Sequence, residues 1–233
     1  TGGLSYGIFA ASPVDTKYAE AGLLDNGDTL EEFTTKLGQI PLKHQPGTTW
    51  EYSVSVDVQG YLVEKLAGQS FGSFLEERIF EPLKMTDTDF HVPEEKASRF
   101  AQVYGYDDAG KLEAGEGFPG ANFLVDPVFE SGGGGLVSTA MDYMRFSQMV
   151  LNGGELDGVR ILAPLTVDLM HRDQTPKNMA GSVLGAQGTT FGLDFAVIDD
   201  PVEAESYSTG EFYWGGAAGT WFWIDPLENL VFI

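Results

Sequence analysis

The stretch Pro46-Gly47-Thr48-Thr49-Trp50-Glu51-Tyr52-Ser53 leads from a turn into an amphipathic segment. Beyond it, apolar residues recur at every fourth position, at Val54, Val58, Leu62 and Leu66. This period predicts a helix from Ser53 to Leu66 with one apolar stripe, and Gly68 lies where a C-cap is expected. Tyr52 then lies at the N-terminus of this helix, where the helix dipole favours a phenolate. Because a phenolate can take a proton from a serine and return it to a leaving group, Tyr52 is a candidate general base.

Helical signals dominate the first two thirds of the chain. Asp28 or Thr29 starts a helix with a glutamate three positions on, which is the pattern of a capping box. We predict three further helices. The first runs from about Gly72 to Ile79, with Pro82 after its end, the second begins at a cap formed by Ser138 or Thr139, and the third runs from Pro164 to Met170. The segment from about Tyr106 to Gly135 is rich in glycine and proline, which predicts a long surface loop.

Strand signals begin near residue 189. Aromatic and branched residues concentrate in Thr190–Val197, Thr220–Ile224 and Leu230–Ile233, and a turn over 225–229 makes the last two an antiparallel pair. The sequence therefore predicts an α+β fold, with a mostly helical lobe and long loops over residues 1–188 and sheet strands over 189–233. Because no leader follows Thr1 and the last strand stops while fully apolar, we interpret the chain as an internal fragment, incomplete at both ends. Its cellular location and oligomeric state stay open.

The composition argues against several classes of function. Thirteen basic against thirty-five acidic residues give a net charge of −22, which would repel a phosphate backbone, so no nucleic-acid partner is expected. A hydrophobic fraction of 42% is typical of a folded chain, and no run of eighteen apolar residues marks a membrane span. The absence of cysteine excludes disulfides, thiolate metal sites and cysteine nucleophiles within this sequence.

Metal, phosphate and paired-carboxylate sites find little support. The three histidines, His44, His91 and His171, are scattered, and Asp25-Asn26-Gly27-Asp28 lacks the ligand spacing of a calcium loop, so we predict no metal and no cofactor. No Gly-Lys-Ser/Thr follows Gly132–Gly135, so a ligand contact is about as favoured there as a flexible or tightly folded loop. Thirty-five acids make chance carboxylate pairs certain, and none has the context of a glycosidase.

Serine chemistry is the best-supported function. No Gly-x-Ser-x-Gly motif occurs, and no serine lies three positions before a lysine, so the chain has no Ser-x-x-Lys nucleophile of its own. Small residues within Tyr213–Thr220 precede a predicted strand. A glycine-alanine edge of this kind leaves a backbone N–H open to a substrate carbonyl, which is half of an oxyanion hole.

In their order along the chain, these segments resemble the penicillin-binding-protein-like serine hydrolases, which include class C β-lactamases, family VIII carboxylesterases and D-aminopeptidases. The resemblance rests on four stretches, which are Thr1–Gly7, Pro46–Ser55, Gly132–Asp142 and Trp214–Gly216. It implies a β-lactamase/transpeptidase-like fold, of which this chain holds the helical lobe and part of a central antiparallel sheet flanked by helices. It also implies that the Ser-x-x-Lys helix lies upstream of Thr1.

The resemblance assigns roles residue by residue. Tyr52 would be the general base, and the edge of the active-site strand would be formed by Trp214, Gly215 and Gly216, with the N–H of Ala217 as second oxyanion donor. Trp214 stands where β-lactamases carry the lysine of Lys-Thr-Gly. Val54 stands where they carry the asparagine of Tyr-x-Asn, as a weaker candidate for the substrate pocket. Both exchanges remove polar recognition groups, which favours a carboxylic ester over a charged lactam.

The residues and the resemblance together predict a serine hydrolase acting on a small ester or amide. We expect a carboxylesterase for short-chain or aromatic esters that forms an acyl-enzyme without a metal. The alternatives are a β-lactamase or D-aminopeptidase of the same fold, and a non-catalytic homologue that binds ligands in the same cleft. Because it lacks the serine and its lysine, the 233-residue chain alone is expected to be inactive.

Overall fold

The computed structural model describes residues 1–8, 12–25, 27–115, 122–179 and 183–233. Its α-helices are α1 (Pro13–Glu20), α2 (Leu30–Leu37), α3 (Ser55–Ala67), α4 (Phe71–Leu75), α5 (Glu81–Leu83), α6 (Ala140–Leu151) and α7 (Pro164–Met170). A π-helical turn, Glu76–Phe80, connects α4 to α5, and short 3-10 segments cover Glu94–Arg99 and Val183–Gly185. Asn26 of the acidic turn lies outside the described residues.

Local capping signals place several helix ends correctly. The Thr29 hydroxyl accepts the Glu32 N–H at 3.2 Å, and the Glu32 carboxylate accepts the Thr29 N–H at 2.9 Å, which confirms the capping box of α2. Thr139 caps α6, and Gly68 ends α3 at a φ of 72°. Pro82 lies inside the continuous helical run 71–83, directly after the π-helical turn, instead of beyond the end of the helix.

Helix α3 exists where it was predicted, but the expected apolar stripe is wrong. Val54 is buried, whereas Leu62 and Leu66 are 52% and 88% exposed. Residues four apart advance about 40° around a helix with 3.6 residues per turn, so the two leucines rotate away from the Val54 side. The buried positions of the helix are Asp57 and Gly60 instead.

The main sheet has five antiparallel strands in the order β5 (Thr189–Phe191), β6 (Ala196–Ile198), β7 (Phe212–Gly215), β8 (Trp221–Asp225) and β9 (Leu230–Phe232). The predicted pair of β8 and β9 is confirmed, with Ile224 opposite Val231. The single strand predicted over Thr190–Val197 is wrong, because a turn divides this segment into β5 and β6. That turn passes so close to Met170 that position 192 requires glycine, since a Cβ there would lie 2.0 Å from the Met170 carbonyl oxygen.

Two small hairpins lie outside this sheet. One pairs β1 (Tyr104–Tyr106) with β2 (Leu112–Ala114), and the other pairs β3 (Glu155–Leu156) with β4 (Val159–Arg160). The first hairpin shows that the loop predicted from Tyr106 to Gly135 is wrong at its start. Residues 116–121 of that segment lie outside the described residues.

Apolar side chains form two buried clusters. The N-terminal core consists of Tyr18, Leu23, Leu30, Phe33, Leu37, Val54 and Phe129. The sheet core consists of Phe80, Leu83, Met85, Met149, Val150, Val167, Phe195, Val197, Phe212, Phe222 and Ile224. The second cluster packs helices against the sheet, so residues before and after position 189 share it. In the described residues, no helix has the length and apolarity needed to cross a membrane.

Candidate active site

Five aromatic side chains meet where the N-terminus of α3 faces strand β7. The Tyr52 ring lies 5.7 Å from the Trp214 ring and 4.9 Å from the Tyr6 ring, between centroids. Trp50 stacks on Tyr52 at 6.4 Å, and Phe191 contacts both Trp50 at 5.4 Å and Trp214 at 5.6 Å. All five are half-buried, so each keeps surface available to a ligand. We call this group the aromatic cluster.

Tyr6 and Tyr52 form a hydrogen-bonded pair within the cluster. Burial raises the pKa of the Tyr6 phenol, and the Asp57 carboxylate and the side-chain hydrogen bond with Tyr52 raise it further. Tyr6 therefore stays protonated and can donate to an oxygen that carries negative charge. If Tyr52 ionises, the Tyr6 hydroxyl can stabilise the phenolate.

A buried polar network lies directly behind this pair, and we call it the Lys43 network. The Lys43 ammonium contacts the Glu51 carboxylate at 2.6 Å and the Asp15 carboxylate at 3.3 Å. The Ser5 hydroxyl donates to Asp15 at 2.7 Å. Ser5 and Asp15 are each 2% exposed. Ser5 and Glu51 immediately precede the two tyrosines of the pair, so the network is attached to both of them.

Asp57 holds the glycine-rich segment 132–135 against the other side of Tyr6. Its carboxylate accepts the Ser131 hydroxyl at 2.6 Å and the Gly133 N–H at 3.1 Å. A Cβ at Gly133 would lie 2.6 Å from the Tyr6 Oη, and a Cβ at Gly132 would lie 2.4 Å from the Val56 carbonyl oxygen. The glycine run is therefore a tightly folded loop, because side chains at these two positions would collide with their neighbours.

The strand side of the site is held by main-chain bonds. Trp214 pairs with Phe222 in the ladder of β7 and β8, and Gly215 pairs with Trp221. The Gly216 N–H then donates to the Thr220 carbonyl at 2.8 Å and closes a tight, exposed turn. Among the described residues, the N–H of Ala217 in this turn donates to no backbone carbonyl. Its backbone is thus exposed at the end of the strand that carries Trp214.

Val54 does not belong to this site. Its side chain has 0% exposure and packs in the N-terminal core, so it presents no surface to a substrate. The prediction that Val54 contributes to the substrate pocket is therefore corrected. The residue caps the start of α3 through its backbone position and serves the packing of that helix.

A cavity of about 680 Å³ lies elsewhere, between the α4–α5 helix and the start of α6, and none of the aromatic cluster lines it. Its cations are already paired, because Lys96 and Arg99 each contact the Asp87 carboxylate at 2.8 Å. Hydrogen bonds from Arg99 and Lys96 lower the pKa of Asp87 to about 2. We therefore place the candidate chemistry at the aromatic cluster, where a polar pair is open to a ligand.

The histidines are dispersed through the structure. His44 contacts Glu51 at 3.3 Å, His91 lies 3.8 Å from Asp89, and His171 stacks on Phe212 at 4.8 Å. Across the described ranges, no three histidine, aspartate or glutamate side chains are grouped as metal ligands.

Comparison with known proteins identifies the family of this chain. The model of the Beta-lactamase family matches residues 1–233. The chain belongs to the Beta-lactamase family. Protein Rv1367c of Mycobacterium tuberculosis (strain ATCC 25618 / H37Rv) is 36% identical over 100% of this chain and 59% of its own length. Esterase EstB of Burkholderia gladioli is 31% identical over 95% of this chain and 59% of its own length.

Solved structures of Beta-lactamase family relatives agree with the fold. "EstCE1, a hydrolase with promiscuous acyltransferase activity" matches with a TM-score of 0.80 and 25% identity, over 98% of this chain and 62% of its own. A simvastatin synthase variant from Aspergillus terreus matches with a TM-score of 0.76 and 25% identity, over 99% of this chain and 56% of its own. The predicted α+β, β-lactamase/transpeptidase-like fold is confirmed. The chain spans less than two thirds of the length of each of these relatives.

Three residues of this Beta-lactamase family member escaped the sequence-based assignment of the site. Tyr6 lies in the Thr1–Gly7 stretch that carried the resemblance, but nothing local marked its hydroxyl as a partner for Tyr52. Asp57 and Lys43 looked like ordinary charges in a strongly acidic chain. No signal in the sequence marked Asp57, because the buried face of α3 is set by packing partners distant in sequence.

Proposed function

We propose that the complete protein is a serine-dependent carboxylester hydrolase in which Tyr52 is the general base. The observation that carries this proposal is the contact between Tyr52 and Trp214, at 5.7 Å between ring centroids. It brings the two segments assigned to the catalytic site together. The names of relatives such as Esterase EstB and the lovastatin esterase of Penicillium rubens support ester chemistry.

The proposed reaction begins with proton transfer to Tyr52. A serine, expected with its lysine on a segment upstream of Thr1, gives its hydroxyl proton to the Tyr52 phenolate while its oxygen bonds to the ester carbonyl carbon. The carbonyl oxygen becomes an oxyanion, which accepts a hydrogen bond from the Ala217 N–H. When the tetrahedral intermediate collapses, the C–O bond to the alcohol breaks and Tyr52 returns the proton to the leaving oxygen. Water then repeats these steps on the acyl-enzyme and releases the carboxylic acid.

The aromatic cluster also supports the choice of substrate class. Trp50, Phe191 and Trp214 offer half-buried ring surfaces around Tyr52, and rings of this kind bind apolar or aromatic groups. Trp214 occupies the strand position where a cation would bind the carboxylate of a β-lactam. We therefore propose short-chain or aromatic esters as substrates, with lactams and D-amino peptides as the alternatives.

Replacing the Tyr52 hydroxyl is the direct test. In the complete gene product, Tyr52→Phe should lower kcat/KM for a nitrophenyl ester by about 10²- to 10⁴-fold, the usual share of a general base. Tyr213→Phe is the matched control, because Tyr213 neighbours Trp214 but stacks on Trp221 at 5.0 Å. Full activity of Tyr52→Phe would overturn the role of Tyr52, and faster turnover of a chromogenic cephalosporin than of the ester would favour the β-lactamase alternative.

Acyl transfer to an alcohol is a second candidate for the same site. It is favoured by the names of two relatives, EstCE1 with its promiscuous acyltransferase activity and the monacolin J acid methylbutanoyltransferase of Aspergillus terreus. In this case an alcohol replaces water in the second half of the reaction, and Tyr52 removes its proton. Adding a primary alcohol to the ester assay distinguishes the two, because a transferase yields the new ester in place of the acid.

A further inference from the structure

We propose that Lys43 is a positioning residue that fixes the hydrogen-bonded pair of Tyr6 and Tyr52 from behind. The proposal rests on the proposed role of Tyr52 as general base. It begins from a feature of the sequence, since Ser5 immediately precedes Tyr6 and Glu51 immediately precedes Tyr52. Lys43 binds Glu51 directly at 2.6 Å and reaches Ser5 through Asp15. One ammonium group therefore controls the backbone positions beside both tyrosines.

The charges make this arrangement depend on the lysine. The Ser5 hydroxyl lies 2.7 Å from the Asp15 carboxylate and 3.5 Å from the Glu51 carboxylate, so both acids approach the same oxygen. Two carboxylates this close repel each other strongly when they are shielded from water. Lys43, whose side chain is only 11% exposed, lies between them and supplies the opposite charge. Without it, Ser5 and Glu51 are pushed apart, and the two tyrosines separate with them.

The surrounding backbone has little room to compensate. The Lys43 N–H donates to the Gly3 carbonyl at 2.7 Å, and the Val54 N–H donates to the Ser5 carbonyl at 3.4 Å. Gly3 has a φ of 84°, and a Cβ there would lie 2.2 Å from the His44 carbonyl oxygen. The segment that carries Tyr6 is therefore held by backbone hydrogen bonds from Lys43 and Val54. Two further titratable groups face the network: His44 lies 3.3 Å from the Glu51 carboxylate, and the Tyr18 hydroxyl accepts the Ser5 N–H at 3.2 Å.

The test compares Lys43→Met with Lys36→Met in the complete gene product. Lys36 is a matched control, because its ion pair with Asp28 has the same 2.6 Å length but its side chain is 46% exposed. We expect Lys43→Met to lower kcat for an ester by about tenfold or more with KM nearly unchanged, since small misplacements of a reacting group are costly. The resonance of Tyr52 in protein labelled with 3-fluorotyrosine, assigned by its loss in Tyr52→Phe, should shift in Lys43→Met and stay in place in Lys36→Met.

A charge-balancing variant separates positioning from simple loss of packing. Combining Lys43→Met with Glu51→Gln removes the repulsion along with the cation, so the Tyr52 resonance and most of kcat should return. If the two substitutions instead lower kcat additively, or if the resonance remains shifted, the proposal is overturned. If Lys43→Met fails to fold, the kcat and the Tyr52 resonance of the double variant still test the positioning role of Lys43.

The outcomes keep this inference distinct from the proposed function. If Tyr52→Phe retains full activity, the proposed function fails, and the fluorotyrosine resonance still shows whether Lys43 positions Tyr52. If Tyr52→Phe is inactive while Lys43→Met matches Lys36→Met in both kcat and resonance, the positioning role alone is wrong.

Discussion

Two buried aspartates support the tyrosine pair, and the groups that surround their carboxylates differ. Asp15 and Asp57 are 2% and 3% exposed, so both carboxylates are removed from water. Asp15 has the Lys43 ammonium beside it, whereas the groups that donate to Asp57 are the neutral Ser131 hydroxyl and the backbone N–H of Gly133. The comparison shows how the donors around a buried carboxylate set its pKa.

The pKa values of the two acids move in opposite directions. Burial on its own would raise the pKa of Asp15, but hydrogen bonds from Ser5, Ser12 and Lys43 outweigh it and bring that pKa to about 2. Burial raises the pKa of Asp57, and its neutral donors only partly oppose the effect. Hydrogen bonds thus make Asp15 more acidic than a free aspartate, whereas burial makes Asp57 less acidic. The first belongs to a charged network, and the second clamps the glycine-rich loop.

Removing the Asp57 carboxylate tests the clamp and should have the largest effect on stability. Asp57→Ala leaves the Ser131 hydroxyl and the Gly133 N–H without their acceptor in a buried place. We expect the free energy of unfolding to fall by about 3 kcal/mol in urea titrations, because each orphaned buried donor costs about 1–3 kcal/mol. Asp126→Ala, at a side chain 85% exposed, is the control and should change stability by less than about 0.5 kcal/mol. Equal stability of the two variants would show that the clamp contributes nothing.

The glycine loop offers a second way to break the clamp without touching a charge. At Gly133 a Cβ would collide with Tyr6, whereas at Gly134 it would meet no atom within 4 Å. We expect Gly133→Ala to destabilise the protein by about 2 kcal/mol through overpacking and to lower ester turnover by displacing Tyr6. Gly134→Ala should leave thermal unfolding and turnover near those of the wild type. Similar behaviour of the two variants would contradict the close contact with Tyr6.

The neutral variants Asp15→Asn and Asp57→Asn test how each aspartate contributes to stability as the pH changes. The folded-state pKa of Asp15 lies below its ordinary value of 3.8, so its stabilisation is present above pH 4 and is lost as the pH falls toward about 2. The folded-state pKa of Asp57 is raised, so its contribution is greatest at low pH and is lost as the pH rises through that pKa.

We therefore expect opposite pH slopes when each variant is compared with the wild type by chemical unfolding. The stability advantage of the wild type over Asp15→Asn should shrink on acidification from pH 4, by on the order of 1 kcal/mol after solvent screening. Its advantage over Asp57→Asn should grow on acidification from neutral pH. Slopes of the same sign would mean that the pKa values of the two acids are not shifted in opposite directions.

The sequence predicted the parts of this molecule that depend on local contacts. The caps at Thr29, Thr139 and Gly68 follow from hydrogen bonds or turns within a few residues, and α7 was predicted with its bounds. The buried face of α3 was missed, because it is set by packing partners distant in sequence. Gly60 approaches Phe71 and Leu30 closely, so this face excludes larger side chains.

The candidate site divides in the same way. Tyr52 became a candidate through its place at the start of α3, but its pairing with Trp214 came from a resemblance between whole segments, because no local rule relates residues so far apart. Lys43 and Asp57 could not be selected from sequence, since their importance arises from burial and from neighbours such as Ser5 and Ser131. In a chain with thirty-five acidic residues, a functional carboxylate carries no distinguishing mark until its environment is known.

The contact between Tyr52 and Trp214 has a consequence for the order of folding. Tyr6 packs against the N-terminal core and Trp214 against the sheet core, so the aromatic cluster lies where the two cores meet. Its central contact joins residues more than 160 positions apart, and contacts of such long range are costly in chain entropy and slow to form. Because the cluster is built from residues that pack against both cores, it should assemble after them and be lost before either of them. Catalytic activity would then appear only when folding is complete, and the fluorescence of Trp50 and Trp214 would follow the last step of folding, in which the aromatic cluster forms.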